Sequence, residues 1–177
     1  ERFNAMAALH HRATRDPLTG LLNRDAFEEQ ARAALSEGTE TLTLLYTDLD
    51  HFKLVNDSAS HVAGDEMIRS VAALVRSEFG DTALIARTGG EEFVVVIDAG
   101  TRSVLRVAEL VHEAVAQCDA AGAPTVSIGV STAGIREGQA CGVVRALIER
   151  ADTAMYRAKH DGGNQTAVAD GIVTAGD

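Results

Sequence analysis

Apolar residues recur along the chain at two different spacings, and each spacing predicts one kind of secondary structure. Several segments carry them three or four residues apart, as in an amphipathic helix. These predicted helices span Asn23 to about Ser36, Phe52 to Asp57, Gly64 to Phe79, Thr101 to Ala120 and Val143 to His160. Other segments are short and rich in β-branched residues, which is typical of strands. The predicted strands span Thr41 to Asp48, Ala83 to Thr88, Glu92 to Ile97, Pro124 to Ser131 and, at a sheet edge, Thr166 to Val168.

The order of these segments predicts an α/β (α+β) fold in which helices flank a central mixed, mostly antiparallel sheet. Ahead of them, residues 1–14 have one thin apolar stripe at helical spacing, as at the end of a connecting helix. A turn at Asp16-Pro17 ends that pattern. We therefore expect one compact domain over residues 15–168 and a loose tail over residues 169–177.

The composition fits a single acidic domain. The 177 residues are 46% hydrophobic and 24% charged, which is enough for one sizeable core and too little for two ordinary domains. A formal net charge of −10 argues against binding of nucleic acid or of a membrane surface, so an anionic substrate would need metal ions. Cys118 and Cys141 have no zinc-site spacing, and no apolar run is long enough to cross a membrane. A reducing, cytoplasmic setting is expected.

The chain begins at Glu1 rather than at a methionine, which predicts a fragment of a longer protein. We expect the upstream region to hold a sensor domain, or a membrane segment that anchors the full-length protein. We expect the upstream region to hold two chains together through the stripe Phe3, Met6 and His10.

Acidic residues stand where two predicted strands meet turns. Asp48 and Asp50 end one buried strand, while Glu91 and Glu92 follow Gly89-Gly90, a dipeptide suited to the positive φ angles of a tight hairpin. Because strand side chains alternate, the two glutamates are expected to face opposite sides. If the strands are neighbours, Asp48 and one glutamate can converge on a hard cation such as Mg²⁺. The alternatives are a helix cap or turn for the aspartates and a solvated strand start for the glutamates.

Further polar residues follow on the next two predicted helices. They include Lys53, Asn56 and Asp65, and each also has an ordinary structural interpretation. Asn56 would serve equally well as a turn amide and Asp65 as an N-cap. The chain has neither a GxxxxGK[ST] loop nor a GxGxxG motif, which argues against a Walker-type or Rossmann nucleotide site.

Several motifs together resemble those of the GGDEF domains, which are diguanylate cyclases, and the signature here has the GGEEF form. In order along the chain they are Asp16-Pro17-Leu18-Thr19-Gly20-Leu21-Leu22-Asn23-Arg24, Asp48-Leu49-Asp50-His51-Phe52-Lys53 with Asn56-Asp57, His61 and Gly64-Asp65, Gly89-Gly90-Glu91-Glu92-Phe93, Val126-Ser127-Ile128-Gly129, and Ala151-Asp152 through Met155-Tyr156 to Ala158-Lys159. They cover about residues 15–168. A single five-residue match would be weak evidence, whereas ordered motifs over this length are strong evidence.

The resemblance implies a fold similar to nucleotidyl cyclase and polymerase palm domains. It also implies a homodimer that condenses two GTP molecules into cyclic di-GMP and pyrophosphate. The residues matching Asp48 and Glu91, with the carbonyl matching Leu49, would hold Mg²⁺ or Mn²⁺. Glu91 is the first candidate for the base that takes the proton of the 3′-hydroxyl, and Glu92 is the second.

The same resemblance assigns the substrate contacts. The residues matching Asn56 and Asp65 would read guanine, because a carboxylate accepts from its N–H edge and an amide donates to O6. Those matching Lys53 and Lys159 would bind the triphosphate, with His61 near the nucleotide and Gly89 and Gly90 leaving it room. The alternatives are packing for His61 and, for Lys159, a lysine favoured at a helix C-terminus.

The chain departs from the family pattern at three places. Gly163 stands where an arginine usually contacts phosphate, and Ser60 replaces a glycine. Gly80 and Ala83 stand at the Arg and Asp of the product-inhibition motif, so no guanidinium is expected there to clamp the product. An active cyclase is still expected. The alternatives are a degenerate domain that binds GTP or cyclic di-GMP as a regulatory module, and a cyclase of altered substrate choice.

Overall fold

The computed structural model describes residues 13–36, 41–98, 104–118, 124–134 and 140–172. The predicted N-terminal stripe and the last five residues of the tail lie outside these ranges. Ala13 and Thr14, the first described residues, are helical. Among the described helices, none is both long enough and apolar enough to cross a membrane.

Five strands form one sheet, as predicted. They are β1 (Thr41–Leu49), β2 (Ala83–Arg87), β3 (Glu92–Asp98), β4 (Val126–Gly134) and β5 (Thr166–Val168). Their order across the sheet is β2-β3-β1-β4-β5. The pairs β2–β3, β1–β3 and β1–β4 are antiparallel, and β4–β5 is parallel. The prediction of a mixed, mostly antiparallel sheet is therefore confirmed, and β1 lies at its centre.

Five described helices accompany the sheet. They are α1 (Arg24–Ser36), α2 (Phe52–Ser58), α3 (His61–Phe79), α4 (Val104–Ala116) and α5 (Ala140–His160). The predicted start of α3 at Gly64 is wrong by three residues. The Ser60 hydroxyl accepts a hydrogen bond from the backbone N–H of Ala63 at 3.2 Å, so Ser60 is the N-cap and Asp65 is not.

The core has two layers because alternate side chains of the central strand face opposite sides of the sheet. Leu45 and Leu49 of β1 pack with α2, α3 and α4, whereas Leu44 and Tyr46 pack with α1 and α5. Every residue of β1 from Leu42 to Leu49 is buried. The strand therefore has no exposed face, and its polar residues near the C-terminal end must find partners within the protein.

Candidate functional site

Three carboxylates lie at the ends of the two central strands. Asp48 is directly opposite Glu92 in the β1–β3 ladder, and the next backbone contact is the N–H of Leu49 donating to the carbonyl of Glu91 at 3.2 Å. Asp48 is only 8% exposed, and both glutamates are half-buried. The prediction that β1 and the signature strand are neighbours is confirmed. Negative charge is thereby concentrated at one end of the two neighbouring interior strands.

Lys159 in the last turn of α5 supplies a cation next to this group. Its Nζ donates to Oδ1 of Asp48 at 2.5 Å. Burial raises the pKa of Asp48, the hydrogen bond and charge of Lys159 lower it, and the charges of Glu91 and Glu92 raise it again. Asp48 thus has one ammonium and two carboxylates as neighbours, an excess of negative charge that an additional cation would stabilise.

The two glycines of the signature turn have a different role from the one predicted. Neither Gly89 nor Gly90 has a positive φ angle, and the turn is closed by the N–H of Thr88 donating to the carbonyl of Glu92 at 3.1 Å. A Cβ at Gly89 would collide with the Glu92 carboxylate, whereas nothing lies within 4 Å of one at Gly90. Gly89 therefore provides space for Glu92 rather than an unusual backbone angle.

Glu92 also lies near the phenol of Tyr46, a contact that the sequence analysis missed. The Thr88 hydroxyl donates to the Tyr46 hydroxyl at 3.4 Å. Burial raises the pKa of Tyr46, the hydrogen bond from Thr88 lowers it, and the negative charge of Glu92 raises it further. The Glu92 carboxylate is therefore folded back toward Gly89 and Tyr46, on the face of the sheet that α5 covers.

Asp50 does not join the other acidic groups. Its carboxylate accepts hydrogen bonds from the hydroxyls of Thr125 and Ser127 at 2.9 and 2.7 Å and from the N–H of Asn164 at 2.8 Å. Neither aspartate caps α2, because the N-cap residue is His51 and no side chain hydrogen-bonds to that helix end. The two aspartates of one motif thus have separate partners.

The predicted guanine-binding residues come together where α2 and α3 meet. Gly64 lies so close to α2 that an added Cβ would collide with Oδ1 of Asn56. Asn56 is therefore adjacent to the backbone that leads directly into Asp65. Lys53 and His61 are exposed on the same two helices, which argues against a packing role for His61. None of these residues has a hydrogen bond to Asp48 or Lys159 among the described contacts.

A salt bridge that the sequence analysis missed supports the signature turn. The Arg87 guanidinium donates to the carbonyl of Gly90 through Nε and Nη2 at 3.1 and 2.7 Å, and Nη1 lies 3.2 Å from both carboxylate oxygens of Asp16. Burial alone would raise the pKa of Asp16, but hydrogen bonds from Thr19 and the charge of Arg87 hold it below its usual value. The Asp16 loop is thereby joined to the turn that carries Glu91.

The expected metal ligands do not form a complete coordination shell in the described part of the chain. No three His, Cys, Asp or Glu side chains converge there in a metal-binding geometry. The Asp48 carboxylate is bonded to Lys159 instead. The donor set is nevertheless of the kind that suits Mg²⁺ or Mn²⁺, because it consists of oxygen atoms and its charges repel one another.

Comparison with known proteins identifies the family to which this arrangement corresponds. The model described as "Diguanylate cyclase, GGDEF domain" matches residues 13–165. The chain is 38% identical to diguanylate cyclase DgcP of Pseudomonas aeruginosa over 89% of its length, and 40% identical to cyclic di-GMP phosphodiesterase PdeB of Shewanella oneidensis over 92%. It spans only 24% and 19% of those two proteins.

Solved structures agree with the family match. The coiled coil and GGDEF domain of DgcB from Caulobacter crescentus, in complex with c-di-GMP, is 31% identical with a TM-score of 0.78, and the match covers 94% of this chain and 91% of that one. Diguanylate cyclase SiaD of Pseudomonas aeruginosa, in complex with its activator SiaC, is 30% identical with a TM-score of 0.79. That match covers 95% of this chain and 66% of that one. The predicted palm-like fold is confirmed.

The contact between Glu92 and Tyr46 predicts how the phenol titrates. In a Tyr156→Phe background Tyr46 is the single tyrosine, since the chain has two. Glu92→Gln should then lower the pKa of Tyr46, because a negative neighbour is removed while burial remains. Ultraviolet titration of tyrosinate in the folded protein measures this change.

Two matched variants complete this test. Gly89→Ala should also lower the pKa of Tyr46, since its methyl group displaces the Glu92 carboxylate. Gly90→Ala should leave that pKa unchanged. Glu91→Gln should leave the pKa of Tyr46 unchanged if the two glutamates face opposite sides of the sheet. An equal decrease with Glu91→Gln would contradict the predicted alternation.

Proposed function

Because the chain belongs to the GGDEF domain family of diguanylate cyclases, we propose that it condenses two GTP molecules into cyclic di-GMP and releases pyrophosphate. The observation that carries this proposal is the group of Asp48, Glu91 and Glu92 beside Lys159 at the centre of the sheet. In each half of the reaction, a 3′-hydroxyl oxygen attacks the α-phosphorus of the other nucleotide. A new P–O bond forms, and the bond to pyrophosphate breaks.

Asp48, the carbonyl of Leu49 and Glu91 are the proposed ligands of Mg²⁺ or Mn²⁺. Such a cation, when bound, screens the charge of the triphosphate and stabilises the charge that develops at the α-phosphate. The raised pKa of Asp48 reflects a buried carboxylate with acidic neighbours, which is the environment a cation relieves. Lys159 is proposed to donate to a phosphate oxygen, as is Lys53.

Glu91 is the proposed base for the 3′-hydroxyl. Two geometric facts favour it over Glu92. The Glu92 carboxylate is folded back against Gly89 and the phenol of Tyr46. Glu91 lies in the turn itself, whose neighbouring carbonyl at Gly90 is held by Arg87. The proton leaves the hydroxyl as its oxygen attacks, and Glu91 receives it.

Base selection is assigned to Asn56 and Asp65. Asp65 would accept from the N1 and N2 hydrogens of guanine, and the Asn56 amide would donate to O6. The close approach of Gly64 to Asn56 keeps these groups at one place on the surface. Adenine presents a donor where guanine has O6, so it would leave both partners unpaired. His61, Gly89 and Gly90 are proposed to line the same nucleotide.

A regulatory role is the second candidate. A relative that matches 92% of this chain is named a cyclic di-GMP phosphodiesterase, so a domain similar to this one occurs in a protein named for the opposite reaction. Gly163 also removes one expected phosphate contact. Incubation with GTP and Mg²⁺, followed by chromatography, separates the two candidates. Formation of cyclic di-GMP supports the cyclase, and binding without product supports the regulatory module.

Substitution of the proposed ligands should abolish synthesis without unfolding the protein. Asp48→Asn and Glu91→Gln are each expected to lower turnover at least about a hundredfold, because each removes a charge and no apolar packing. Asp170→Asn is the control, since that side chain is 99% exposed. Product is measured by chromatography and the fold by circular dichroism. Near wild-type synthesis by either variant would refute the ligand assignment.

The symmetric product predicts a symmetric assembly. Two facing domains, each with one GTP, form both phosphodiester links across a twofold axis. Specific activity should therefore rise with protein concentration until the dimer is fully formed. A dilution series with parallel light-scattering measurements tests this expectation. Constant specific activity by a monomer would contradict the proposed homodimer.

Product inhibition tests the region around Gly80 and Ala83. These residues line a cavity of about 200 Å³ that Arg15 and Arg76 also line, two arginines that the prediction did not consider. Asp81 also lines the cavity and would repel a phosphate. Cyclic di-GMP should therefore inhibit only in competition with GTP. Non-competitive inhibition that Arg76→Ala abolishes would instead assign a second product site to this cavity.

A further inference from the structure

Asp50 connects three segments that are far apart in the sequence. It directly follows β1, is 7% exposed, and accepts hydrogen bonds from Thr125, from Ser127 of β4 and from the backbone of Asn164. Its own N–H donates to the carbonyl of Thr125 at 2.9 Å. The contacts with Thr125 and Ser127 therefore join Asp50 to neighbouring parts of the sheet. The contact with Asn164 joins it to the turn after α5.

That turn has an unusual backbone. Gly162, Gly163 and Asn164 have successive φ angles of 121°, 73° and 49°. A non-glycine residue in this region is strained, so Asn164 needs compensation from its surroundings. The Asp50 carboxylate accepts from the Asn164 N–H and lies against Gly163, where an added Cβ would be 3.2 Å from Oδ1. Asp50 is thus the contact that stabilises the turn in this conformation.

This turn also fixes the end of α5. The N–H of Gly163 and the side-chain amide of Gln165 both donate to the carbonyl of Ala158, at 3.1 and 2.9 Å. Lys159 is the next residue, and its Nζ reaches Asp48. We propose that Asp50 is a positioning residue, which holds the end of α5 so that Lys159 lies at Asp48 and, on the proposed function, at the triphosphate of GTP.

The chemistry of the three donors distinguishes a positioning role from a requirement for charge. The hydroxyls of Thr125 and Ser127 can rotate and accept a hydrogen bond, whereas the N–H of Asn164 can only donate. Asp50→Asn therefore keeps an acceptor oxygen for Asn164, and Asp50→Ala leaves that N–H with none. The asparagine variant should retain the position of the turn, and the alanine variant should lose it.

Kinetics of these two variants test the proposal. Asp50→Ala should raise the KM for GTP about tenfold, as expected for loss of one charge-assisted phosphate contact, and lower kcat less than about threefold. Asp50→Asn should stay within about threefold of wild type in KM. In a Lys159→Ala background, Asp50→Ala should raise the KM for GTP further by less than about twofold, because Asp50 affects the KM through Lys159.

Val143→Ala is the control for general destabilisation. Val143 is a buried residue of the same helix, 1% exposed and in the first turns of α5, so this variant should lower the melting temperature without changing KM. A wild-type KM for Asp50→Ala would overturn the proposal. So would additive effects with Lys159→Ala, or an equal rise in KM for Val143→Ala.

Amide hydrogen exchange provides a readout that does not depend on turnover. Segment 161–166 should exchange at least about tenfold faster in Asp50→Ala than in wild type, and Val143→Ala should leave this segment unchanged relative to the rest of the protein. If the wild-type chain makes no cyclic di-GMP, the proposed function fails. The exchange data and the Kd of a GTP analogue that cannot release pyrophosphate then still test Asp50, and unchanged values for both would overturn its role.

Discussion

Burial of charge at the end of the central strand is the constraint on which the candidate site depends. β1 is paired on both edges and covered on both faces, so Asp48 lies where water is scarce and a carboxylate needs a cation. Lys159 is that cation in the protein alone, and its position at the end of α5 requires that helix to pack along the sheet. Glu91 and Glu92 add negative charge that a single ammonium does not balance. The local excess of negative charge, which a further cation would relieve, is thus a consequence of how the sheet is assembled.

Asp48 and Asp50 illustrate how one short motif serves both reactivity and stability. They are two residues apart, and both are almost fully buried. Asp50 has a protein donor for each oxygen and contributes to the link between strands and turn. The Asp48 carboxylate accepts from Lys159 and has Glu91 and Glu92 as negatively charged neighbours. Keeping it buried and charged therefore lowers the stability of the fold. Chemical type alone does not distinguish the two, but their hydrogen-bond partners do.

The sequence predicted the elements whose signals are local and missed those that depend on contacts between distant residues. Short apolar segments rich in β-branched residues located the strands β1 to β4, and the family motifs located Asp48, Glu91 and Lys159 near one another. The start of α3 was missed because Asp65 and Ser60 are both good N-cap residues, and only Ser60 has the geometry. The function of Gly89 was missed because it depends on where Glu92 points. Arg87 was missed because its partners, Asp16 and Gly90, follow from the fold.

Gly163 is a further residue whose role depends on a neighbour far away in the sequence, which is the Asp50 carboxylate. At φ 73° an L side chain costs on the order of 1–2 kcal/mol, and its Cβ would crowd the Asp50 carboxylate. A phosphate contact from an arginine at this position is worth about 1.5–3 kcal/mol. The first quantity bears on the stability of the fold and the second on substrate binding, so glycine at this position relaxes the turn and, on the proposed function, gives up a substrate contact. Because that turn donates to the carbonyl of Ala158, directly before Lys159, its stability also bears on the position of the lysine at Asp48.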